Sequence, residues 1–137
     1  MIKTLSHVVV YVLDQDRALR FYTEALGFSV RTDVSLDGFR WLTVGPESQP
    51  GVAILLAEPA PPMFSEEDGA AVKVLVAKGA FSGGVLETDD CRGTFGDLRD
   101  KGVIFIEEPA ERPYGVEAVF RDDSGNWFSL TERKSEA

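Results

Sequence analysis

The chain of 137 residues has a formal net charge of −9, with hydrophobic residues at 44% and charged residues at 27%. This size and balance predict one globular domain, and the lack of a basic cluster argues against binding to nucleic acid or an anionic membrane. The single cysteine, Cys91, excludes an internal disulfide, and no apolar run is long enough to span a membrane, so we expect a cytoplasmic protein.

The first half of the chain is predicted to form a strand, a helix and three further strands. Residues 7–13 are apolar and β-branched, which is typical of a buried strand. Asp14 is a suitable N-cap for a helix over 16–26, where apolar side chains recur at helical spacing, and Gly27 follows as its C-terminal cap. Three strand-like runs come next: 28–34, 39–44 and 52–57. Asp37-Gly38, between the first two, is a strong hairpin signal.

The second half repeats this order after a stretch without a clear pattern. Residues 58–81 are interpreted as a connector, in which 70–78 is a candidate for one short extra element. Asp14 and Gly27 are 13 positions apart, and so are Asp89 and Gly102, the limits of the second helix-like segment. The strand-like runs of this half are 85–88, 103–107, 115–121 and 127–132.

We therefore predict one α+β domain, residues 1–137, built from two βαβββ modules that bury their faces on each other. The predicted parts are a first module at 4–58, a connector at 59–81, a second module at 82–133 and a tail at 134–137.

Two motifs then carry a family resemblance. The opening, Leu5 to Val12 followed by Phe21-Tyr22-x-x-x-Leu26-Gly27-Phe28, resembles the start of the glyoxalase/bleomycin-resistance/dioxygenase (vicinal oxygen chelate) superfamily. The stretch from Asp122 to Leu130 is similar to that family's closing turn and strand. The two motifs lie about a hundred residues apart in the expected order, so the resemblance covers nearly the whole chain.

The resemblance implies paired modules whose mixed sheets curve into a cup around a small molecule, usually in a homodimer. Several members bind Fe, Mn, Ni or Zn through four side chains in this cup. Here His7 matches the first ligand, whereas Leu55, Ser82 or Gly83, and Ser129 stand at the other three positions. Because a divalent ion needs several donors, we expect no resident metal, with His7 as the ligand if there is any.

Two residues are candidates for acid–base chemistry. His7 is the only histidine and is suited to proton transfer near neutral pH, although a strand-start histidine hydrogen-bonded to backbone is the structural alternative. Alternation places Glu87 on the same face as Val85 and Gly83, where it is a candidate general base. A solvated strand end beside Asp89 is the competing interpretation.

Other residues are candidates for contacts with the bound molecule. Trp41 and Trp127, the only tryptophans, suit the walls of a cup for a planar or apolar ligand, and core packing explains either one as well. Leu55 and Ser129 occupy former ligand positions. Glu117 is a charge inside an apolar strand, with Arg40 and Arg121 as candidate partners. Tyr114, in a turn, is a candidate for closing over the ligand.

Three functions follow from these observations. The first is a metal-independent member of the superfamily that binds a small organic molecule in an aromatic-lined cup. The second is a metal-dependent lyase, isomerase or extradiol-type dioxygenase with rearranged ligands such as His7, Glu87 and Glu117. The third is an antibiotic-sequestering dimer, in which the negative charge steers cationic ligands. Enzyme and binding protein are both compatible with the sequence.

Overall fold

The computed structural model describes residues 1–134; residues 135–137, most of the predicted tail 134–137, lie outside the described residues. The first half contains β1 (His7–Tyr11), α1 (Gln15–Arg20) continued by a π-helical turn (Phe21–Ala25), β2 (Ser29–Leu36), β3 (Phe39–Gly45) and β4 (Ala53–Ala57). The connector contains α2 (Glu66–Ala77). The second half contains β5 (Ser82–Glu87), α3 (Cys91–Asp100), β6 (Phe105–Arg112), β7 (Gly115–Arg121) and β8 (Trp127–Arg133).

The caps confirm the first predicted helix frame, and they place the start of the second one residue later than predicted, at Asp90 in place of Asp89. The side chains of Asp14 and Asp90 each accept a hydrogen bond of 2.9 Å from the main-chain N–H three positions ahead. Gly27 and Gly102 end the helical segments with φ values of 75° and 89°, a conformation that glycine adopts at little cost. The internal repeat is therefore a repeat of helix caps more than of residue identities.

The two halves form four-stranded mixed sheets with equivalent strand orders, β1-β4-β3-β2 and β5-β8-β7-β6. In each sheet the first and last strands of the module pair in parallel, and the remaining pairs are antiparallel. The predicted Asp37-Gly38 turn joins β2 to β3 with positive φ values of 51° and 78°. The α+β class and the paired βαβββ units are as predicted.

One hydrophobic core joins the two sheets. Ile54 and Leu56 of β4 enter it from the first sheet, and Phe128 and Leu130 of β8 enter it from the second. Tyr22, from the π-helical turn, is 0% exposed and packs edge-on against Phe128, with 6.2 Å between ring centroids. The modules thus bury their helix-bearing faces on each other, and strand alternation directs the other face of each sheet away from this core.

A buried polar cluster fastens the modules together inside this core. The Tyr22 hydroxyl donates to Asp122 Oδ2 at 2.6 Å, and burial together with this negative charge raises the pKa of Tyr22 well above its usual range. Asp122 Oδ1 accepts three main-chain N–H bonds, each 2.9 Å, from the turn that ends at Asn126. The Asn126 amide donates both to Asp122 and to the carbonyl of Tyr11 in β1. The closing turn of the second module is therefore bonded to the first.

The connector contains a longer helix than the sequence indicates. α2 has 12 residues and begins at the N-cap Ser65, whose hydroxyl accepts the N–H of Asp68. Val72, Val74 and Val76 stand at alternate positions, a spacing typical of a strand, and Gly69 lowers helix propensity further. Val76 is fully buried in the folded chain, so tertiary packing stabilises a helix that the local pattern does not favour.

Strand β6 also extends beyond its predicted end, to Arg112. Its register with β7 shifts twice, once on each side of Glu107, and Pro109 lies within the second irregular stretch. Because β6 is at the edge of its sheet, a proline and bulges are tolerated there. Within residues 1–134, none of the helices has the length and apolar character needed to cross a membrane.

Candidate ligand-binding site

The sheet faces that point away from the core are the candidate site, and we call them the first and second open faces. The first open face, on β1, β3 and β4, carries His7, Val9, Trp41, Thr43 and Leu55. The second open face, on β5, β7 and β8, carries Val85, Glu87, Glu117, Trp127, Ser129 and Thr131. Every strand-borne candidate from the sequence therefore lies on one of these two faces.

The first open face is aromatic and apolar. His7 is exposed and meets Trp41 edge-on, with 5.5 Å between ring centroids, while its Nδ1 lies 2.9 Å from the Ser6 hydroxyl. Trp41 is 37% exposed, so much of its ring is available to a ligand. Leu55 is 4% exposed beside Thr43, whose buried hydroxyl has no hydrogen-bond partner among the described residues.

The connector closes one end of the first open face. Alternation in β1 places Tyr11 on this face, and Phe64 of the connector packs edge-on against it with 5.2 Å between centroids. The sequence did not indicate Phe64 as a site residue, since the connector has no periodic pattern that would assign it a direction. The only local sequence feature near Phe64 is a group of three prolines, which indicates a turn but not the direction of the side chain.

The second open face is built around Glu117. Its Oε2 accepts from the Ser129 hydroxyl at 2.5 Å, and its Oε1 accepts from the Tyr114 hydroxyl at 2.6 Å. The Thr131 hydroxyl lies 2.8 Å from that of Ser129. The hydrogen bonds from Ser129 and then Tyr114 hold the pKa of Glu117 below its usual range, and the bond to Glu117 raises the pKa of Tyr114. At neutral pH this cluster is an anionic acceptor.

The arginines near Glu117 differ from those predicted. Arg112 is the nearest, with its Nε 3.9 Å from Glu117 Oε1, a long and half-exposed contact. Arg40 is engaged elsewhere, with Asp33 and Asp16, and Arg121 donates to a main-chain carbonyl. The prediction of Arg40 or Arg121 as partner is therefore wrong, because Arg40 lies in the other sheet and Arg121 lies further along β7, where it bonds to the closing turn at Gly125.

Glu87 and Trp127 lie at opposite ends of the second open face. Glu87 pairs with Thr131 across the sheet, and its 59% exposed side chain forms a 2.6 Å ion pair with Arg133. Trp127 pairs with Ser82 and Arg121. The structure thus brings Tyr114, Glu117 and Ser129 together, whereas His7 and Glu87 belong to different sheets.

The four positions that the family resemblance matches to metal ligands do not carry the donors that a divalent ion needs. Leu55 is a hydrocarbon, and Ser129 is engaged with Glu117. The predicted alternation at Gly83 fails because the β5–β8 register shifts between Ser82 and Gly84; a Cβ on Gly83 would run into the ring of Phe128 in the core. In the described part of the chain, no three His, Cys, Asp or Glu side chains group together as metal ligands. Neither Leu55 nor Gly83 offers a metal donor side chain, so the donor set is incomplete.

A polar crevice of about 1220 Å³ lies between the modules, beside the second open face. Its lining comes from residues 26–28 and 46–49 of the first module and residues 85–89 and 132–134 of the second. Glu87, Asp89, Glu132 and Arg133 make it highly charged, unlike the apolar pockets that usually hold small molecules. We therefore place the candidate site on the open faces.

Comparison with known proteins agrees with this architecture. Residues 4–130 match the family model of the Glyoxalase/Bleomycin resistance protein/Dioxygenase superfamily. The chain belongs to this superfamily. The uncharacterized protein YurT of Bacillus subtilis (strain 168) is 36% identical to this chain over 129 residues, which is 90% of this chain and 94% of YurT.

Two solved structures are similar along nearly their whole length. The crystal structure of UcmS2 has a TM-score of 0.92 and 52% identity, covering 96% of this chain and 99% of that one. TnmS3, an antibiotic binding protein from Streptomyces sp. CB03234, has a TM-score of 0.77 and 28% identity, covering 97% of this chain and 98% of that one. The superfamily fold is therefore shared with at least one protein described as binding an antibiotic.

Proposed function

We propose that this protein binds a small organic molecule as a homodimer, with the first open face of one protomer and the second open face of its partner forming each site. The observation behind the proposal is the complementary character of the two faces that point away from the core of a single chain. One is aromatic and apolar, and the other surrounds an ionised carboxylate. Val9 and Val85, on the edge strands β1 and β5, are 45% and 64% exposed, which favours cover by a second copy.

Similarity to an antibiotic binding protein supports capture of the molecule over its conversion. Glu87, the candidate general base, is held by Arg133 in an exposed ion pair of 2.6 Å. We therefore propose an antibiotic-sequestering or similar binding role in which the open faces supply contacts and no covalent step.

A cytoplasmic location is also part of the proposal. Cys91 is free and fully buried, with its thiol 3.5 Å from the Leu130 carbonyl. Burial raises the pKa of this thiol, which makes it unreactive, and a free cysteine of this kind is common in reducing compartments.

Trp41→Ala is expected to weaken binding of acridine, a neutral planar probe at pH 7.5, by about tenfold, because the main exposed aromatic surface of the first open face is lost. Quenching of the remaining tryptophan fluorescence, or calorimetry, measures the affinity. Val74→Ala is the control, since it removes an exposed apolar side chain from α2 and should leave affinity within about twofold. Equal affinities of wild type and Trp41→Ala would exclude the first open face from the site.

The metal prediction is tested separately. Protein purified without chelators should hold far less than one equivalent of Fe, Mn, Ni or Zn by elemental analysis, because Leu55 and Gly83 supply no donor side chain. Adding these ions should not raise the midpoint of thermal unfolding. Stoichiometric metal that disappears in His7→Ala would contradict this expectation and favour the metal-dependent lyase, isomerase or dioxygenase.

A further inference from the structure

We infer that Glu117 selects the ligand, and that the bound molecule is a planar aromatic compound with an N–H donor on one edge. The inference rests on the proposed function and specifies the chemistry of that same site. Three observations support it: the direction of the hydroxyl protons around Glu117, the charge of its carboxylate, and the aromatic character of the facing wall.

The hydroxyl protons around Glu117 all point toward the carboxylate. Ser129 has a single hydroxyl proton and donates it to Glu117, so the 2.8 Å contact with Thr131 requires Thr131 to be the donor to Ser129. Tyr114 donates its own proton to the other carboxylate oxygen. The cluster therefore has no hydroxyl proton left for a ligand, while a carboxylate still offers unused lone pairs.

Charge strengthens this preference for a donor. Hydrogen bonds from Ser129 and Tyr114 keep Glu117 ionised, and its side chain is 19% exposed, so a ligand can reach it from the open face. Arg112 compensates the charge weakly, because its Nε is 3.9 Å away and its side chain is 41% exposed. A ligand carboxylate would be repelled here, and a polarised N–H would be attracted.

The facing wall determines the rest of the molecule. In the proposed dimer, the second open face lies opposite His7 and Trp41, which present an edge-on aromatic pair. A flat ring system can pack on Trp41 while one edge reaches Glu117. An aliphatic or strongly anionic compound satisfies only one of the two walls.

The experiment compares 9-aminoacridine, a cation with N–H donors at pH 7.5, with acridine, which has the same ring and is neutral. Wild-type protein should bind 9-aminoacridine about tenfold or more tightly than acridine. Glu117→Gln should weaken 9-aminoacridine binding by about ten- to a hundredfold and change acridine binding by about twofold at most. Glu111→Gln removes the same charge from β6, on the opposite face of the sheet from Glu117, and should change the affinity for neither probe.

The outcomes separate the two proposals. If neither probe binds wild-type protein, the proposed function fails. If both bind and Glu117→Gln lowers their affinities equally, or lowers neither, the role of Glu117 is overturned while the binding function stands. The pH dependence is a further readout: because the pKa of Glu117 is lowered, the affinity for 9-aminoacridine, which stays cationic over this range, should persist from about pH 8 to pH 5 and be lost only below the ordinary glutamate range.

Discussion

Replacing Asp122 by alanine is expected to lower the free energy of unfolding by about 3–5 kcal/mol, a large part of the stability of a domain of this size. Asp122 is 6% exposed and accepts hydrogen bonds from three main-chain N–H groups as well as from Tyr22 and Asn126. Alanine leaves these donors buried without acceptors and removes the Tyr22–Asp122 hydrogen bond between the modules. Urea unfolding followed by circular dichroism measures the loss.

Two graded variants and one control make this result specific. Tyr22→Phe removes one hydroxyl donor and should cost about 1–2 kcal/mol. Asp122→Asn keeps an acceptor for the main-chain N–H groups and should fall between Tyr22→Phe and Asp122→Ala. Asp97→Ala, which removes an exposed aspartate from α3, should stay within about 0.5 kcal/mol of wild type. An Asp122→Ala variant as stable as Asp97→Ala would show that the cluster does not fasten the modules.

The elements that could be predicted are those whose signals are local. An aspartate N-cap and a glycine twelve or thirteen positions later bracket each helix by hydrogen bonds and φ values that need no distant partner. Asp37-Gly38 specifies a tight turn in the same way. The paired modules and the α+β architecture follow from the repetition of such signals, and the family was accessible from the resemblance of the opening and closing motifs.

Features decided by distant contacts were not accessible. α2 carries valines at strand-like spacing, and its helical state depends on burial of Val76 against the rest of the fold. Gly83 appeared to share a face with Val85, but a register shift in β5 turns its Cα–H toward Phe128. Strict alternation assumes a regular ladder, which a bulge breaks without a clear sequence signature.

The candidate site shows the same division. The family resemblance made Leu55 and Ser129 candidates for the cup, and their residue types within predicted strands made Trp41 and Glu117 candidates. The hydrogen bond from Tyr114 to Glu117 depends on the turn between β6 and β7 and on the irregular register of β6. The predicted arginine partners of Glu117 were wrong because the sequence did not show that Arg40 lies in the other sheet with its own acidic partners, or that Arg121 bonds to the closing turn.

Mixing two variants that each bind weakly is expected to recover wild-type affinity in some sites if each site is shared between protomers. Trp41→Ala damages the first open face and Glu117→Gln damages the second, so each homodimer should bind 9-aminoacridine weakly. In a mixed dimer, one site collects both substitutions and the other collects neither. After the two proteins are unfolded and refolded together in equal amounts, about one quarter of all sites should show wild-type affinity in a titration.

This recovery cannot arise if each site is built within one chain, because every chain then carries a damaged wall. The control mixes Trp41→Ala with a chain that carries both Trp41→Ala and Glu117→Gln, which leaves at least one damaged wall in every site and should recover nothing. Light scattering of the same samples should give twice the mass of the chain. A dimer without recovered sites would contradict the shared site, because it would mean that Trp41 and Glu117 do not combine across protomers: either each site lies within one chain, or the two open faces belong to different sites.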